Sequence, residues 1–336
     1  RSPAQFLNVP FATDDQGYPV RLDLKESAQL GMGPHGICIG ATGSGKSEML
    51  RTLILSLAVS HPPEDLAMIL VDYKGGAAFA PFEGLPHLAG LIDNLADDPQ
   101  LTVRAKASLQ GEVVRRQQLL KAADSSPSIS HYRELRRTRP ELAPMPHLFV
   151  VIDEFGELLT AEPDFIDLFL QIGRIGRSIG VHLLLSSQRI EGGKLRGLDT
   201  YLSYRLGLRT FSEAESQVVL GSGDAFHLPP IPGYGYLKVD TSVYQRFHAG
   251  YVSGPIDEVA EARPVTDDEQ PRIVEVPLFN GIDSGGDPDA PLVLRAPETR
   301  RTLIDDLVAQ LDRPEKVRPV WLPPLAERIS LGEAFA

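Results

Sequence analysis

Residues 36–47 read Gly-Ile-Cys-Ile-Gly-Ala-Thr-Gly-Ser-Gly-Lys-Ser, an apolar strand pattern followed by the spacing G-x-x-x-x-G-K-S. That spacing is typical of a phosphate-binding P-loop. Its glycines have no Cβ atom, so the backbone can curl and point its N–H groups at phosphate oxygens. Apolar residues in 48–58 recur at helical spacing, which predicts a helix whose positive N-terminus faces the anion. Because a strand precedes the motif and a helix follows it, we interpret it as a nucleoside triphosphate site and not as a chance glycine-rich turn.

The residue types of this loop also predict what it binds. Lys46 would reach the β- and γ-phosphates of ATP, and the hydroxyl of Ser47 would hold Mg²⁺. ATP and Mg²⁺ are therefore the predicted ligands. The predicted nucleotide-binding residues are Gly40, Ala41, Thr42, Gly43, Ser44, Gly45, Lys46, Ser47 and Glu48.

A second apolar run ends in two carboxylates. Residues 147–152 have the character of a buried strand, and Asp153 and Glu154 follow directly. A central parallel strand of this kind delivers acidic groups to the edge of the sheet where ligands bind. We predict that Asp153 binds Mg²⁺ and that Glu154 is the general base that polarises the attacking water. The alternative is an acidic strand end that caps the next helix, since residues 155–159 continue helically.

A third apolar run, 181–187, is followed by Gln188. Its amide would lie at the same edge of the sheet, where it could sense the γ-phosphate or orient water; the alternative is a surface glutamine. A further strand-like run, 66–72, separates the P-loop from the acidic strand in sequence. The predicted fold class is therefore α/β, a RecA-like, additional-strand P-loop ATPase with a mostly parallel central sheet flanked by helices.

The motifs together resemble one family of ATPases. They look like the ATPase domain of the FtsK/SpoIIIE family and, more narrowly, the first ATPase module of the EccC motors of type VII (ESX) secretion systems. The resemblance covers about residues 5–255 and extends toward the tail. The segments that carry it are 40–48, 71–79, 151–159, 186–189, 195–199 and 204–210. Residues 31–36 and 219–238 separate this branch from the DNA translocases.

The resemblance implies a motor that works as a ring. Such ATPases assemble into a ring, here expected to be a hexamer, and complete each site with an arginine from the next subunit. In the family this arginine lies near the start of the long helix after the second strand, which points to Arg104. Arg174 and Arg177 are the competing candidates. The implied partners are neighbouring ATPase modules of the same motor, secreted helical substrate proteins and membrane components of the secretion complex.

The charge of the chain bears on the substrate. The net charge is −12, and residues 255–320 hold 15 acidic and 8 basic side chains. A DNA pump draws its affinity from neutralising phosphates, so a basic channel would be expected. DNA is therefore not the predicted partner, although an FtsK-like double-stranded DNA translocase remains the alternative function. One basic cluster is interpreted as a solvated helix end: Arg133, Arg136, Arg137 and Arg139.

Three segments are predicted along the chain. Residues 1–35 form a β element with a turn at 14–17, residues 36–254 form the ATPase core, and residues 255–336 form an extension toward a following module. Within the extension, short strands are predicted at 272–279 and 291–294. The single cysteine, Cys38, excludes a disulfide framework.

The predicted location follows from the family resemblance and from the absence of a signal peptide and of a membrane-spanning run in the sequence. There is no signal peptide, and no apolar run approaches the ~20 residues needed to cross a bilayer. Family members are anchored through an upstream segment, so we expect Arg1 to begin an excised, soluble fragment. The expected location is a cytoplasmic module of an inner-membrane-associated complex.

The C-terminal residues are predicted to be a regulator. A proline-rich segment loses little entropy on docking. By analogy with the resembling motors, residues 317–334 should fold back onto a pocket of the core and hold the module in a low-activity arrangement. We expect that pocket in the helical region after Arg189. The apolar anchors are Val317, Val320, Trp321, Leu322 and Leu325; the alternative is an unbound linker.

Overall fold

One sheet organises the molecule. The computed structural model describes residues 3–75, 78–195, 197–256, 301–313 and 315–321. Within these residues ten strands form a single sheet in the order β2-β1-β10-β9-β8-β3-β7-β6-β4-β5. The strands are Asn8–Thr13 (β1), Pro19–Asp23 (β2), Gly36–Ile39 (β3), Leu66–Asp72 (β4), Leu88–Ile92 (β5), His147–Asp153 (β6), Val181–Ser187 (β7), Tyr204–Leu208 (β8), Tyr234–Val239 (β9) and Val243–Ala249 (β10).

Helices cover both faces of this sheet. They are Lys46–Ser60 (α1), Pro99–Ala122 (α2), Ile129–Thr138 (α3), Phe155–Ala161 (α4), Phe165–Ile179 (α5), Glu213–Leu220 (α6) and Leu303–Leu311 (α7). The long helix α2 begins where its sequence directs. Asp98 is the N-cap, its side chain accepts a hydrogen bond from the backbone N–H of Gln100, and Pro99 takes the first helical position.

The central strands confirm the predicted fold class. Strand β3, which leads into the P-loop, lies between β7 and β8 and is parallel to both. The acidic strand β6 pairs in parallel with β7 and β4, so β7 separates it from β3. All these strands end at the same edge of the sheet. Each polar residue that follows a strand therefore meets the others there.

Antiparallel strands extend the sheet on one side. Strands β1 and β2 form the hairpin predicted around residues 14–17, and β1 also pairs with β10. Strands β9 and β10 form a second hairpin that joins β8. The predicted N-terminal β element is thus continuous with the sheet. The two predicted boundaries, after residues 35 and 254, stay predictions.

The extension after Gly254 packs on the core where it is described. Pro255 forms an antiparallel bridge with Thr302. Helix α7 contacts α1, and its residues Ile304 and Val308 are buried in the same apolar cluster as that helix. The strands predicted at 272–279 and 291–294 lie outside the described residues. In the part of the chain that the structure describes, no helix is long and apolar enough to cross a membrane.

Buried histidines line the amino edge of the sheet, opposite the P-loop. Five of the eight histidines are almost completely buried there: His35, His61, His87, His147 and His182. His147 and His182 are hydrogen-bonded through Nδ1 and Nε2 at 2.9 Å, and the backbone N–H of Leu183 donates to Nδ1 of His35 at 3.1 Å. Burial lowers the pKa of His35 to about 4 and that of His182 to about 3, and it also lowers the pKa of His87 and His147. The imidazoles of His35, His87, His147 and His182 are therefore neutral near pH 7.

Candidate nucleotide site

The P-loop is fixed to the strands on either side of it. The backbone N–H of Gly40 donates to the carbonyl of Ser187 at 3.2 Å, and that of Ala41 donates to the carbonyl of Arg209 at 2.8 Å. Gly43 and Gly45 have φ angles of 77° and 89°, in the left-handed region that favours glycine. The loop is therefore held between the ends of β7 and β8.

A later loop sits directly on this one. The backbone N–H of Gly233 donates to the carbonyl of Ser44 at 2.8 Å. A Cβ atom at Gly45 would lie 2.4 Å from the nitrogen of Gly233, so no other residue fits at Gly45 without moving that loop. Residues 229–233 thus form one wall beside the phosphate site. Sequence reasoning quoted this stretch only as a family signature and did not place it here.

Lys46 lies in a buried, acidic environment. Its Nζ is paired with Asp153, lies 3.6 Å from Oε1 of Glu154 and donates to Oγ of Ser186 at 3.1 Å. Burial alone would lower the pKa of Lys46, but the two carboxylates outweigh it and raise the pKa above its usual value. Lys46 is therefore a full positive charge at neutral pH. Ser186 was not predicted as a site residue. It lies two residues before the predicted Gln188, so the alternation of side chains along β7 could have indicated it.

Glu154 adopts an unusual backbone conformation. Its φ of 59° places a non-glycine residue in the left-handed region, at the start of α4. The Glu154 side chain makes no capping bond to α4, so the helix-cap alternative is not supported. Instead, its Oε2 accepts hydrogen bonds from the backbone N–H of Gln188 at 3.2 Å and from Oγ of Ser187 at 3.4 Å. The strained turn directs the carboxylate toward the end of β7.

Gln188 joins the P-loop to the acidic pair. Its Oε1 accepts a hydrogen bond from Oγ1 of Thr42 at 2.7 Å, while its backbone N–H reaches Glu154. Four predicted residues from three separated segments are thereby brought together: Lys46, Asp153, Glu154 and Gln188. The contact with Thr42 is solvent-exposed, and the role of Gln188 stays a prediction.

The oxygen donors fit the predicted metal. Asp153 ends β6, and Ser47 is the second residue of α1. A hydroxyl and a carboxylate are ligands that Mg²⁺ accepts, and this ion takes its remaining positions from water and phosphate. Among the described residues no group of three or more histidine, cysteine, aspartate or glutamate side chains could hold a metal ion. A site with two protein ligands is consistent with that finding.

The side chain of Arg104, the predicted trans-acting arginine, contacts the C-terminal tail. Its guanidinium lies over the ring of Trp321, 4.3 Å from the centroid. It belongs to the second turn of α2 and is half-buried. The competing candidates lie elsewhere. Arg174 and Arg177 are on α5, line a cavity at the amino edge with His182, and Arg177 is paired with Glu26.

The tail docks along the edge strand β5. The backbone N–H of Val317 donates to the carbonyl of Pro86 at 3.0 Å, and those of Val320 and Trp321 donate to the carbonyl of Ala89 at 2.7 and 3.0 Å. A Cβ at Gly90 would lie 2.7 Å from Cβ of Trp321, so glycine makes room for the tail there.

The predicted position of the docking pocket was wrong for the described part of the tail. Its walls are β5 and α2, not the region after Arg189. An edge strand offers free carbonyl groups to a passing chain, whereas Leu195 and Leu198, in the region after Arg189, are buried in the core. Val317 is buried, and Val320 and Trp321 pack on the same apolar cluster. The other predicted anchors, Leu322 and Leu325, lie outside the described residues.

The basic cluster is largely used within the chain. Arg133 is paired with Asp65 and stacks on Phe6, at 4.5 Å from the ring centroid. Arg136 donates to the carbonyl of Leu142, and Arg139 is paired with Asp124. The sequence interpretation was a solvated helix end; Arg137 is exposed, but the other three arginines make contacts within the chain.

Together, the loop, the acidic pair and the glutamine on a RecA-like sheet define a P-loop ATPase domain. The sequence pattern of the FtsK/SpoIIIE family matches residues 2–191. The chain therefore belongs to the FtsK/SpoIIIE family.

Secretion ATPases are among its relatives. The chain is 52% identical to the ESX secretion system protein EccC of Thermomonospora curvata, over 97% of this chain and 25% of the relative. It is 44% identical to the ESX-4 secretion system protein EccC4 of Mycobacterium tuberculosis, over 97% of this chain and 26% of that protein. The chain spans about a quarter of the length of these relatives.

A solved structure agrees in fold. The cytoplasmic domain of the Thermomonospora curvata type VII secretion ATPase EccC superposes with a TM-score of 0.81 at 50% sequence identity. The match covers 97% of this chain and 33% of that structure. The predicted resemblance to EccC motors is confirmed.

Proposed function

We propose that this chain is an ATP-hydrolysing motor module of a type VII protein secretion system. The observation that carries the proposal is the convergence of Lys46, Asp153, Glu154 and Gln188 at an intact P-loop, in a chain that is 52% identical to an EccC protein. The module would work in a ring, expected to be a hexamer. It would couple hydrolysis to the recruitment and export of helical substrate proteins, beside neighbouring ATPase modules and membrane components of an inner-membrane-associated complex, on the cytoplasmic side.

Nucleotide binding would exchange the partners of Lys46. In the structure, Lys46 is paired with Asp153 and lies 3.6 Å from Oε1 of Glu154. The triphosphate would be held by the backbone N–H groups of residues 40–48, and the ammonium group would turn toward the β- and γ-phosphates. This frees Asp153, which with Ser47 would hold Mg²⁺. The ion, when bound, offsets the negative charge of the phosphates.

Hydrolysis would then depend on Glu154. With Lys46 on the phosphates, the carboxylate is left to accept a proton from the attacking water. The backbone N–H of Gln188 and the hydroxyl of Ser187 hold its Oε2, so the base is oriented before the substrate arrives. The Gln188 amide, placed beside Thr42, would orient the water or sense the γ-phosphate.

Two features support slow turnover in an isolated module. The proposed trans arginine, Arg104, serves a neighbouring subunit, and a monomer has no neighbour. In addition, Trp321 covers the Arg104 guanidinium, so the docked tail would withhold it from assembly. We propose that residues 317–321 and the tail beyond them hold the module in this low-activity arrangement.

The charge does not favour a DNA translocase. The net charge is −12, and three arginines of the basic cluster make contacts within the chain. A steady-state ATPase assay at increasing protein concentration, with and without double-stranded DNA, tests the proposal. Turnover per subunit should rise with protein concentration and should not respond to DNA. Stimulation by DNA would favour the translocase instead.

A further inference from the structure

Two segments lie beside the start of α1, and both begin on the side of the sheet away from the acidic pair. The γ-phosphate end of the site is marked by Lys46, which reaches Asp153 on β6 and Ser186 on β7. The P-loop strand lies between β7 and β8. With its γ-phosphate facing β6 and β7, a nucleotide would extend its ribose and base in the opposite direction, toward β8, β9 and β10. Residues 229–233 lie on that side, and residues 250–254 start there, at the end of β10, and cross α1 toward the loop after β4, where Arg51 contacts both Ser253 and Ala78.

The first segment is rigidly attached to the P-loop. Gly233 bonds to Ser44 and fills the space beside Gly45. The backbone carbonyl of Gly233 also accepts from the N–H of Ala249 at 2.8 Å, which ties the segment to the end of β10. Ile231, in this fixed segment, is nonetheless 54% exposed.

The second segment runs along the first turns of α1. Oγ1 of Thr52 donates to the carbonyl of Gly250 at 2.8 Å, and Oγ of Ser253 donates to Oε1 of Glu48 at 2.8 Å. Tyr251 lies between these two anchors and is 67% exposed.

The exposure of Tyr251 does not come from a loose backbone. Gly250 donates to the carbonyl of Phe11 at 3.1 Å, Val252 is buried, and its carbonyl accepts from Ile304 at 3.0 Å. The Tyr251 ring lies close to Gly254, where a Cβ would be 3.0 Å from it. A large aromatic ring is thus held in water by an ordered backbone, beside the helix that begins the phosphate site.

We propose that Tyr251 and Ile231 form the seat of the nucleotide's purine base. The inference rests on the proposed function, since it assumes that ATP occupies the P-loop, and it adds the residues that recognise the base. Purine rings stack on aromatic side chains and on flat apolar surfaces. Tyr251 supplies the aromatic face, and Ile231 supplies an apolar contact from the P-loop side.

The experiment compares the binding of a nucleotide with the binding of its phosphate chain alone. Binding of Mg·ATP and of Mg·tripolyphosphate to the whole chain is measured by calorimetry. Tyr251→Ala should weaken ATP binding about 5- to 150-fold, the range expected for loss of one base stack, and leave tripolyphosphate binding unchanged. Tyr251→Phe should restore ATP binding. Tyr18→Ala is the matched control, because Tyr18 is 69% exposed and lies in the β1–β2 turn.

The outcomes separate this proposal from the proposed function. If Tyr251→Ala binds ATP as the unchanged chain does, or if it weakens both ligands equally, the base seat is overturned. Lys46→Ala addresses the phosphate site itself and should weaken both ligands. If the unchanged chain binds neither ligand, the proposed function fails first.

Discussion

Lowering the pH from 8 to 5 should cost the folded protein about 4 kcal/mol through two histidines alone. His35 and His182 are 1% and 4% exposed. Burial lowers their pKa values to about 4 and about 3, from an ordinary value of 6.5. Electrostatic repulsion by His35, when protonated, and by Arg116 lowers the pKa of His182 in the same direction. Both imidazoles therefore stay neutral in the folded chain at pH values where the unfolded chain protonates them.

The magnitude follows from proton linkage. The unfolded state binds more protons below pH 6.5, so stability falls as the pH falls, by about 1.4 kcal/mol per pH unit for each histidine. A pH of 5 is about 1.5 units below the pKa of each histidine in the unfolded chain, and it is still above the pKa of that histidine in the folded chain. Each therefore costs about 2 kcal/mol relative to pH 8. His87 and His147 have pKa values lowered in the same direction and add to the loss.

Urea unfolding followed by circular dichroism, at several pH values between 5 and 8, measures this loss. His35→Gln and His182→Gln keep a hydrogen-bonding side chain but cannot titrate. Each variant should lose about 2 kcal/mol less than the unchanged chain between pH 8 and pH 5. His227→Gln is the control, because His227 is exposed. A pH slope that is the same in all four proteins would refute the reasoning.

Three further predictions concern the motor. Lys46→Ala should weaken ATP binding about tenfold or more, because charged hydrogen bonds to the phosphates are lost. Glu154→Gln should bind ATP and leave it intact. Rapid turnover by Glu154→Gln in a phosphate-release assay would contradict the role of Glu154 as the general base. Arg104→Ala should lower the turnover of an assembled ring about 10³-fold or more, and mixing it with Glu154→Gln subunits should restore some activity only if the arginine acts in trans. Trp321→Ala should raise ATPase activity or self-association, with Lys316→Ala as an exposed control in the same tail; unchanged activity together with unchanged hydrogen exchange along β5 would exclude an inhibitory tail.

The sequence predicted the parts of the site that follow buried strands. Asp153, Glu154 and Gln188 each come directly after an apolar run, and parallel strands bring such residues to one edge. The bounds of helix α2 also follow local signals, because Pro99 begins it and a Ser/Pro-containing stretch follows it. Local signals were sufficient in both cases.

Contacts between distant segments could not be predicted in the same way. Trp321 packs against Gly90, more than two hundred residues away, and no periodicity or motif in either segment indicates the other. The sequence therefore predicted that the tail docks on the core, but it predicted the wrong surface. The same holds for Gly233 on the P-loop and for the histidines of the amino edge. These contacts depend on the order of strands in the sheet, which local patterns do not specify.

Because Trp321 stacks on Arg104, the intrinsic tryptophan fluorescence of the chain reports whether the tail is docked. Trp321 is the only tryptophan in the sequence, so all tryptophan emission comes from the docked tail. Release of the tail would move the indole from a half-buried, cation-contacting position into water. The emission maximum should shift to longer wavelength in the same step that uncovers Arg104. Stopped-flow fluorescence on the unlabelled protein could then time tail release against ATP binding and ring assembly.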